Sequence, residues 1–218
     1  MTQKMPDAAL RFGRRCSFIA LTVWACSAQA QEIAPDALVK NVTLEVMDIV
    51  RKDKDIQAGD RKKTIDLVET RVLPHFDFTG MTGLALGPNW PKANTEQKKQ
   101  LTHEFRTLLV RTYASALAAY REQKFEFRPL RSKPTDTDVT VQVRVMQSGA
   151  QPITIDYGME KTAAGWKVYD VIVGGVSLVA NYRTEFGNQV RDSGIDGLIR
   201  SIAEKNRANA ALAPAVKK

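Results

Sequence analysis

One block of strict alternation, DVTVQVRVMQ (Asp138 to Gln147), constrains the fold of this chain more than any other feature. Val139, Val141, Val143 and Val145 point to one side; Thr140, Gln142 and Arg144 point to the other. That is a strand with one covered face and one wetter face. FEFRPLR (Phe125 to Arg131) precedes it as a shorter strand. After the turn SGA, PITIDYGMEK alternates too, with Ile153, Ile155 and Tyr157 together, and TAAG turns it into WKVYDVIV. Strands joined by such short turns must run antiparallel, because a parallel crossover needs a dozen or more residues. The last strand departs from the rule. It is apolar at odd and even positions alike, so both its faces are expected to be covered.

Helical periodicity flanks this block. APDALVKNVTLEVMDIVRKDKDI (Ala34 to Ile56) repeats apolar residues at Leu38, Val42, Val46 and Ile49-Val50. GDRKKTIDLVETRVLPHF is a second helix, capped by Asp60 and stopped by Pro74. DFTGMTGLALGPNWPKA is a short helix with a proline-punctuated connection. Asn94, with Gln97 three residues on, forms a capping box for a long helix to about Arg121. Two more helices, SLVANYRTEFGNQVRD and GIDGLIRSIAEKNR, follow the strands. The expected fold is α+β, an antiparallel sheet of about four strands packed against several helices, with one domain over residues 31–207 and a disordered tail over 208–218.

The first thirty residues are expected to lie outside that domain. Arg11, Arg14 and Arg15 precede the short apolar run CSFIALTVWAC, and AQA ends at Ala30, the pattern of a cleaved secretory signal peptide. The run is too short for a spanning anchor. Trp24 argues against lipid attachment at Cys26, and Cys16-Ser17 argue against a twin-arginine route. Cleavage would leave 218 − 30 = 188 residues and remove both cysteines. The mature chain would then be exported yet carry no disulfide or thiolate chemistry. The segment holds four cations (Lys4, Arg11, Arg14, Arg15) and one acid (Asp7), so the net charge falls from +8 to +5. That mild basicity lacks the arginine-rich runs of a nucleic-acid binder.

Catalytic patterns are incomplete. HEFRT (His103 to Thr107) has Thr107 where a zinc helix needs its second histidine. GGVSL offers Ser177 two residues after Gly175, but Val179 replaces the second glycine of a nucleophile elbow. His75, near Asp77, could serve as its base on paper. GLALG is followed by Pro88, which has no N–H for a phosphate, and no Walker loop occurs. Asp136 and Asp138 lie in a polar turn. No metal, cofactor or catalytic residue is expected. Ser177 reads most simply as a cap for the following helix, after a sharp turn at Gly174-Gly175.

HFDFTGMTGLALGPNW, FRTLLVRTYASAL, ITIDYGM, GWKVYDVIVGGVSLVANYRTEF and GIDGLI occur in this order. Over about Pro35 to Asn206 the chain resembles the MlaC family, the toluene-tolerance or Ttg2 auxiliary proteins. The resemblance implies a twisted sheet with helices folded against it, cystatin- or NTF2-like in outline, enclosing a hydrophobic cavity for phospholipid acyl chains. It implies a periplasmic phospholipid carrier, an auxiliary component of an ABC transport system that maintains outer-membrane lipid asymmetry. The implied partners are diacyl phospholipid as cargo, an inner-membrane complex with an MCE-domain ring, and an outer-membrane lipoprotein associated with a porin. No nucleic acid is expected.

Combining alternating strand faces with facing helix stripes, we expect the acyl chains against Phe78, Met81, Leu84, Leu108, Tyr113, Val141, Val143, Ile153, Ile155, Tyr157, Val168, Val176, Leu178 and Tyr182. Arg106, Arg111, Arg144 and Arg183 are candidates for head-group or partner contacts. Two other readings compete: a secreted esterase or lipase using Ser177 and His75, and an envelope adaptor with an ordinary packed core.

Overall fold

The computed structural model describes residues 33–118, 122–133, 135–147 and 149–211. The expected signal segment and the tail past Ala211 lie outside the described residues. Helix α1 (Pro35–Lys52) ends at Asp53, whose carboxylate accepts the N–H groups of Asp55 (2.9 Å) and Ile56 (3.1 Å). That cap starts a new turn, α2 (Lys54–Gln57), so the single helix expected to Ile56 is broken in two. Asp60 caps α3 (Arg61–Leu67) through Lys63 N–H at 3.0 Å. The helix then widens into a π-helical turn (Val68–Val72) and tightens into a 3₁₀ turn (Leu73–His75) around Pro74.

Asp77 caps α4 (Phe78–Leu86), accepting from Thr79 and Gly80 N–H at 3.0 Å each. The capping box of α5 (Thr95–Ala118) closes in both directions: Gln97 N–H to Asn94 Oδ1 at 2.8 Å, and Asn94 N–H to Gln97 Oε1 at 3.0 Å. Helix α6 (Asn181–Ala211) is kinked at Gly194, which separates the two helices expected there. It runs past Ala208, where the tail was expected to begin.

The sheet is a meander, β1-β2-β3-β4-β5, antiparallel throughout. Its strands are β1 (Lys124–Phe127), β2 (Asp138–Met146), β3 (Ile153–Thr162), β4 (Gly165–Val173) and β5 (Val176–Ser177). Strand β1 is shorter than expected. Pairing lapses after Arg128 N–H reaches Gln142 O (3.1 Å), and Pro129 follows on this edge strand, where its missing N–H would face away from β2. The fifth strand was not expected. Gly174 and Gly175 both have positive φ (58° and 86°), which lets a two-residue loop pair Val173 with Val176. The chain therefore doubles back as a hairpin before entering α6.

The apolar character of β4 at both odd and even positions has a local cause. Gly158 of β3 faces Asp170, but the next residue, Met159, faces Val168, which leaves Tyr169 as an extra residue in β4. This bulge resets the alternation. Trp166 and Val168 before it, and Val171 after it, pack into one cluster on the inner face. One covered face thus accounts for most of the apolar residues of β4, rather than the two that were expected. The Tyr169 ring lies against Gly158, where a Cβ would sit 3.1 Å from it, and its hydroxyl donates to Asp138 at 3.1 Å.

The core has two main parts. One joins α4, α5 and α6 around Phe105, Phe186, Leu198 and Ile202, with edge-to-face contacts from Phe105 to Tyr182 (5.1 Å) and to Phe186 (5.3 Å). The other lies between the sheet and α1, around Val39, Val141, Val143, Met159 and Val168.

Candidate functional site

Side chains on the inner face of the sheet are not equally covered. Val141, Val143 and Val145 of β2 are 2%, 1% and 0% exposed. Their cross-strand partners Tyr157 and Ile155, and Val171 and Val173 beyond them, point the same way yet remain only half-buried. Such a gradient across one face means that half of the sheet is packed and half borders a hollow.

That hollow is a cavity of about 340 Å³, within the roughly 300–1,000 Å³ of small-molecule sites. Helix α1 roofs it with Leu38, Val39, Val42, Thr43, Val46 and Met47. Val72, His75 and Phe76 form one side, and Tyr113 and Ala116 of α5 another. The sheet side comprises Phe125, Ile155, Tyr157, Met159, Val168 and Val173, with Leu178 just after β5. Only Thr43, His75, Tyr113 and Tyr157 among these carry polar side-chain atoms. A surface so apolar gives water few hydrogen bonds and favours hydrocarbon.

Several ties hold the walls in place. Phe76 makes a parallel bridge to Val168, and Asp77 N–H donates to Val168 O at 2.9 Å, so the turn after α3 is fastened to the sheet. Arg71 pairs with Glu45 at 2.9 Å, linking the π-helical turn to α1. Arg51 donates to Gln123 O at 3.0 Å, linking the far end of α1 to the start of β1. Tyr113 of the cavity wall also packs against the α4–α5–α6 core, as does Tyr182, whose phenol burial and then the neighbouring Tyr113 push up to about 12. Burial, and then the nearby Lys167 ammonium, lower the His75 imidazole below its ordinary value. A neutral imidazole suits a hydrocarbon-lined wall.

Ser177 has a different set of partners from those a nucleophile needs. Its hydroxyl donates to Asp170 Oδ1 at 2.9 Å and accepts from Val179 N–H (3.2 Å) and Ala180 N–H (2.8 Å). The proton that a base would remove is held by a carboxylate, and the oxygen caps the turn leading into α6. Among the described residues there is no group of three or more His, Cys, Asp or Glu arranged to hold a metal ion, and no helix is long and apolar enough to cross a membrane.

Of the residues expected around the acyl chains, Tyr113, Ile155, Tyr157, Val168 and Leu178 come together on the cavity wall. The others are placed elsewhere. Phe78, Met81, Leu108 and Tyr182 belong to the α4–α5–α6 core. Val141 and Val143 lie on the inner sheet face but are sealed into its packed half. Ile153 starts β3 outside the wall, while Leu84 and Val176 are 40% and 49% exposed. None of the four arginines lines the cavity. Arg106 pairs with Glu69 (3.6 Å) and lies over the Phe78 ring, and Arg144 stands 3.8 Å from Glu126. Arg111 donates to Asn206 O, and Arg183 packs against Gly87. The residues missed are chiefly those of α1, although its stripe of short, branched Val and Thr side chains was visible in the sequence.

Residues 40–204 match the family model described as MlaC protein. The chain is 26% identical over 159 residues to the intermembrane phospholipid transport system binding protein MlaC of Haemophilus influenzae, covering 69% of this chain and 74% of that protein. It is 22% identical over 181 residues to the toluene tolerance protein ttg2D of Pseudomonas putida, covering 80% and 84%. Among solved structures, the phospholipid-binding protein of Ralstonia solanacearum in complex with a phospholipid superposes with a TM-score of 0.74 at 36% identity, covering 80% of this chain and 98% of that one. With most of its length matched by the family model and the same fold in a relative at 36% identity, the chain belongs to the MlaC family.

Proposed function

We propose that this protein is a periplasmic phospholipid carrier. It takes the acyl chains of a diacyl lipid into the cavity beneath α1 and moves lipid between membranes without a catalytic step. The observation that carries this reading is the apolar hollow itself. Its walls are hydrocarbon almost throughout, so water in the hollow finds few hydrogen-bond partners and an apolar cargo is favoured over it. An adaptor with an ordinary packed core has no use for such a hollow. The phospholipid in the Ralstonia solanacearum relative supports the same reading.

Energetics also bear on how such a carrier is unloaded. Exposing roughly 30 methylenes at about 0.8 kcal/mol each costs on the order of 25 kcal/mol, so release into water is very slow. Exchange takes place while docked. The partners we assign are an MCE-domain protein of an inner-membrane ABC transporter and an outer-membrane lipoprotein associated with a porin. Export by a signal peptide cut after Ala30 belongs to this reading, as does lipid contact by Tyr113, Ile155, Tyr157, Val168 and Leu178. Native mass spectrometry of the protein purified from the periplasm tests the core of it. One diacyl phospholipid or more should co-purify, and a protein that arrives empty and takes up no added lipid refutes it.

A further inference from the structure

Where an acyl chain joins glycerol it carries an ester, and an ester carbonyl taken out of water needs a donor. The cavity wall offers polar side-chain atoms only at Thr43, His75, Tyr113 and Tyr157. Two of these are taken up elsewhere. Tyr113 packs against the α4–α5–α6 core beside Tyr182, and Tyr157 has a partner of its own. Thr43 and His75 make no side-chain hydrogen bond to any described residue.

Five other helical threonines, Thr64, Thr70, Thr82, Thr107 and Thr112, spend the hydroxyl on the carbonyl four residues back. Thr43 makes no such bond, so its donor is left over on the cavity it lines. Burial, and then Lys167, lower the His75 pKa, so at neutral pH its ring keeps one N–H donor and one acceptor nitrogen. The two groups belong to one edge of the cavity. Arg71, just ahead of the Leu73–His75 turn, pairs with Glu45, just past Thr43 in α1, at 2.9 Å. Glu45 also lies close enough to His75 to act on its titration. Both Thr43 and His75 are half-buried, so solvent serves them until cargo covers them. Further along α1, Val46 and Met47 are buried and roof the cavity inward of that edge.

We propose that Thr43 and His75 form an ester subsite, donating to acyl-ester carbonyls where the chains of the bound lipid leave its glycerol. This inference rests on the carrier reading and places the cargo within it: glycerol at the edge between α1 and the Leu73–His75 turn, chains beneath Val46 and Met47. Specificity follows from what an ether lipid lacks. Its linkage has no carbonyl, so loading it covers a hydroxyl and an imidazole N–H without pairing them. Diester lipids are therefore favoured over diether lipids, whatever the head-group alcohol.

The test titrates delipidated protein with diester phosphatidylglycerol and with its diether counterpart of the same chain length, read by native mass spectrometry. Native protein should bind the diester form more tightly, by about fivefold for each hydrogen bond. Thr43→Val and His75→Phe should each lower that preference by about fivefold. Both should leave diether binding as it was, which also shows that the variants fold. Thr102→Val, at a threonine of α5 off the cavity wall, should leave the preference unchanged. Equal binding of the two lipids by native protein, or a preference that survives in the double variant, refutes the subsite while the carrier reading stands. If Thr43→Val weakens both lipids alike, the hydroxyl meets the head group instead and the proposal is wrong. If neither lipid binds native protein, the carrier reading itself fails. Thr43→Val exchanges a hydroxyl for a methyl at a half-buried site, and it decides the matter alone if His75→Phe does not fold.

Discussion

At the scale of single residues, Ser177 and Glu160 make opposite predictions. Ser177 satisfies two N–H groups ahead of α6 and is itself bonded to Asp170. Ser177→Ala should therefore cost about 1 kcal/mol in chemical denaturation and leave lipid loading intact. An esterase would lose all activity with the same change. Glu160 is a liability at neutral pH. Burial, and then the Asp77 carboxylate beside it, raise its pKa above the ordinary glutamate value. The folded state thus holds this proton more tightly than the unfolded chain does. The favourable contribution is complete below about pH 4.5 and is lost as pH rises through the raised value. Glu160→Gln should raise the melting temperature at pH 7 and give no gain at pH 4.

At the scale of elements, the roof and the packed half of the sheet should respond differently to added bulk. Val42 of α1 faces the cavity, so Val42→Trp should fill the space of an acyl chain and sharply reduce co-purified lipid while the protein stays folded. Val143 is 1% exposed in packed core, and Val143→Trp should cost about 1–3 kcal/mol through overpacking. The contrast, read by mass spectrometry and thermal melts, would show whether the hollow lies where the cavity places it. The same two residues show what was legible in the sequence. Alternation told which side chains of β2 and β3 share a face, and capping residues told where α3 and α5 begin. Neither tells which helix lies over which half of a sheet, because that is decided by long-range packing. Hence Val143 was expected in the wall and Val42 was not. The β4 bulge was hidden for a related reason, since an extra residue cannot be told from a second buried face until its partner strand is known.

At the scale of the whole molecule, the α4–α5–α6 part of the core is separate from the cavity, whereas the part between the sheet and α1 shares Val39, Met159 and Val168 with its wall. None of the fully buried residues that join α4, α5 and α6 lines the cavity. Removing lipid should therefore loosen α1 and spare the rest. In hydrogen exchange read by mass spectrometry, delipidated protein should lose protection along α1 while amides around Phe105, Leu198 and Ile202 keep theirs. Its melting midpoint should also fall, by mass action, relative to loaded protein. Uniform loss of protection would mean that cargo is part of the fold.

Tyr169 has a consequence that reaches beyond its own position. Counting along β4, every side chain downstream of it owes its sidedness to an odd insertion. Deleting Tyr169 would remove the bulge and leave Val168 opposite Met159, Asp170 opposite Gly158 and Val171 opposite Tyr157, so the wall residues would keep their side. Deleting Ile172 instead, past the bulge, would turn Val173 away from the cavity. A single deletion in β4 should then be tolerated at the bulge and not beyond it.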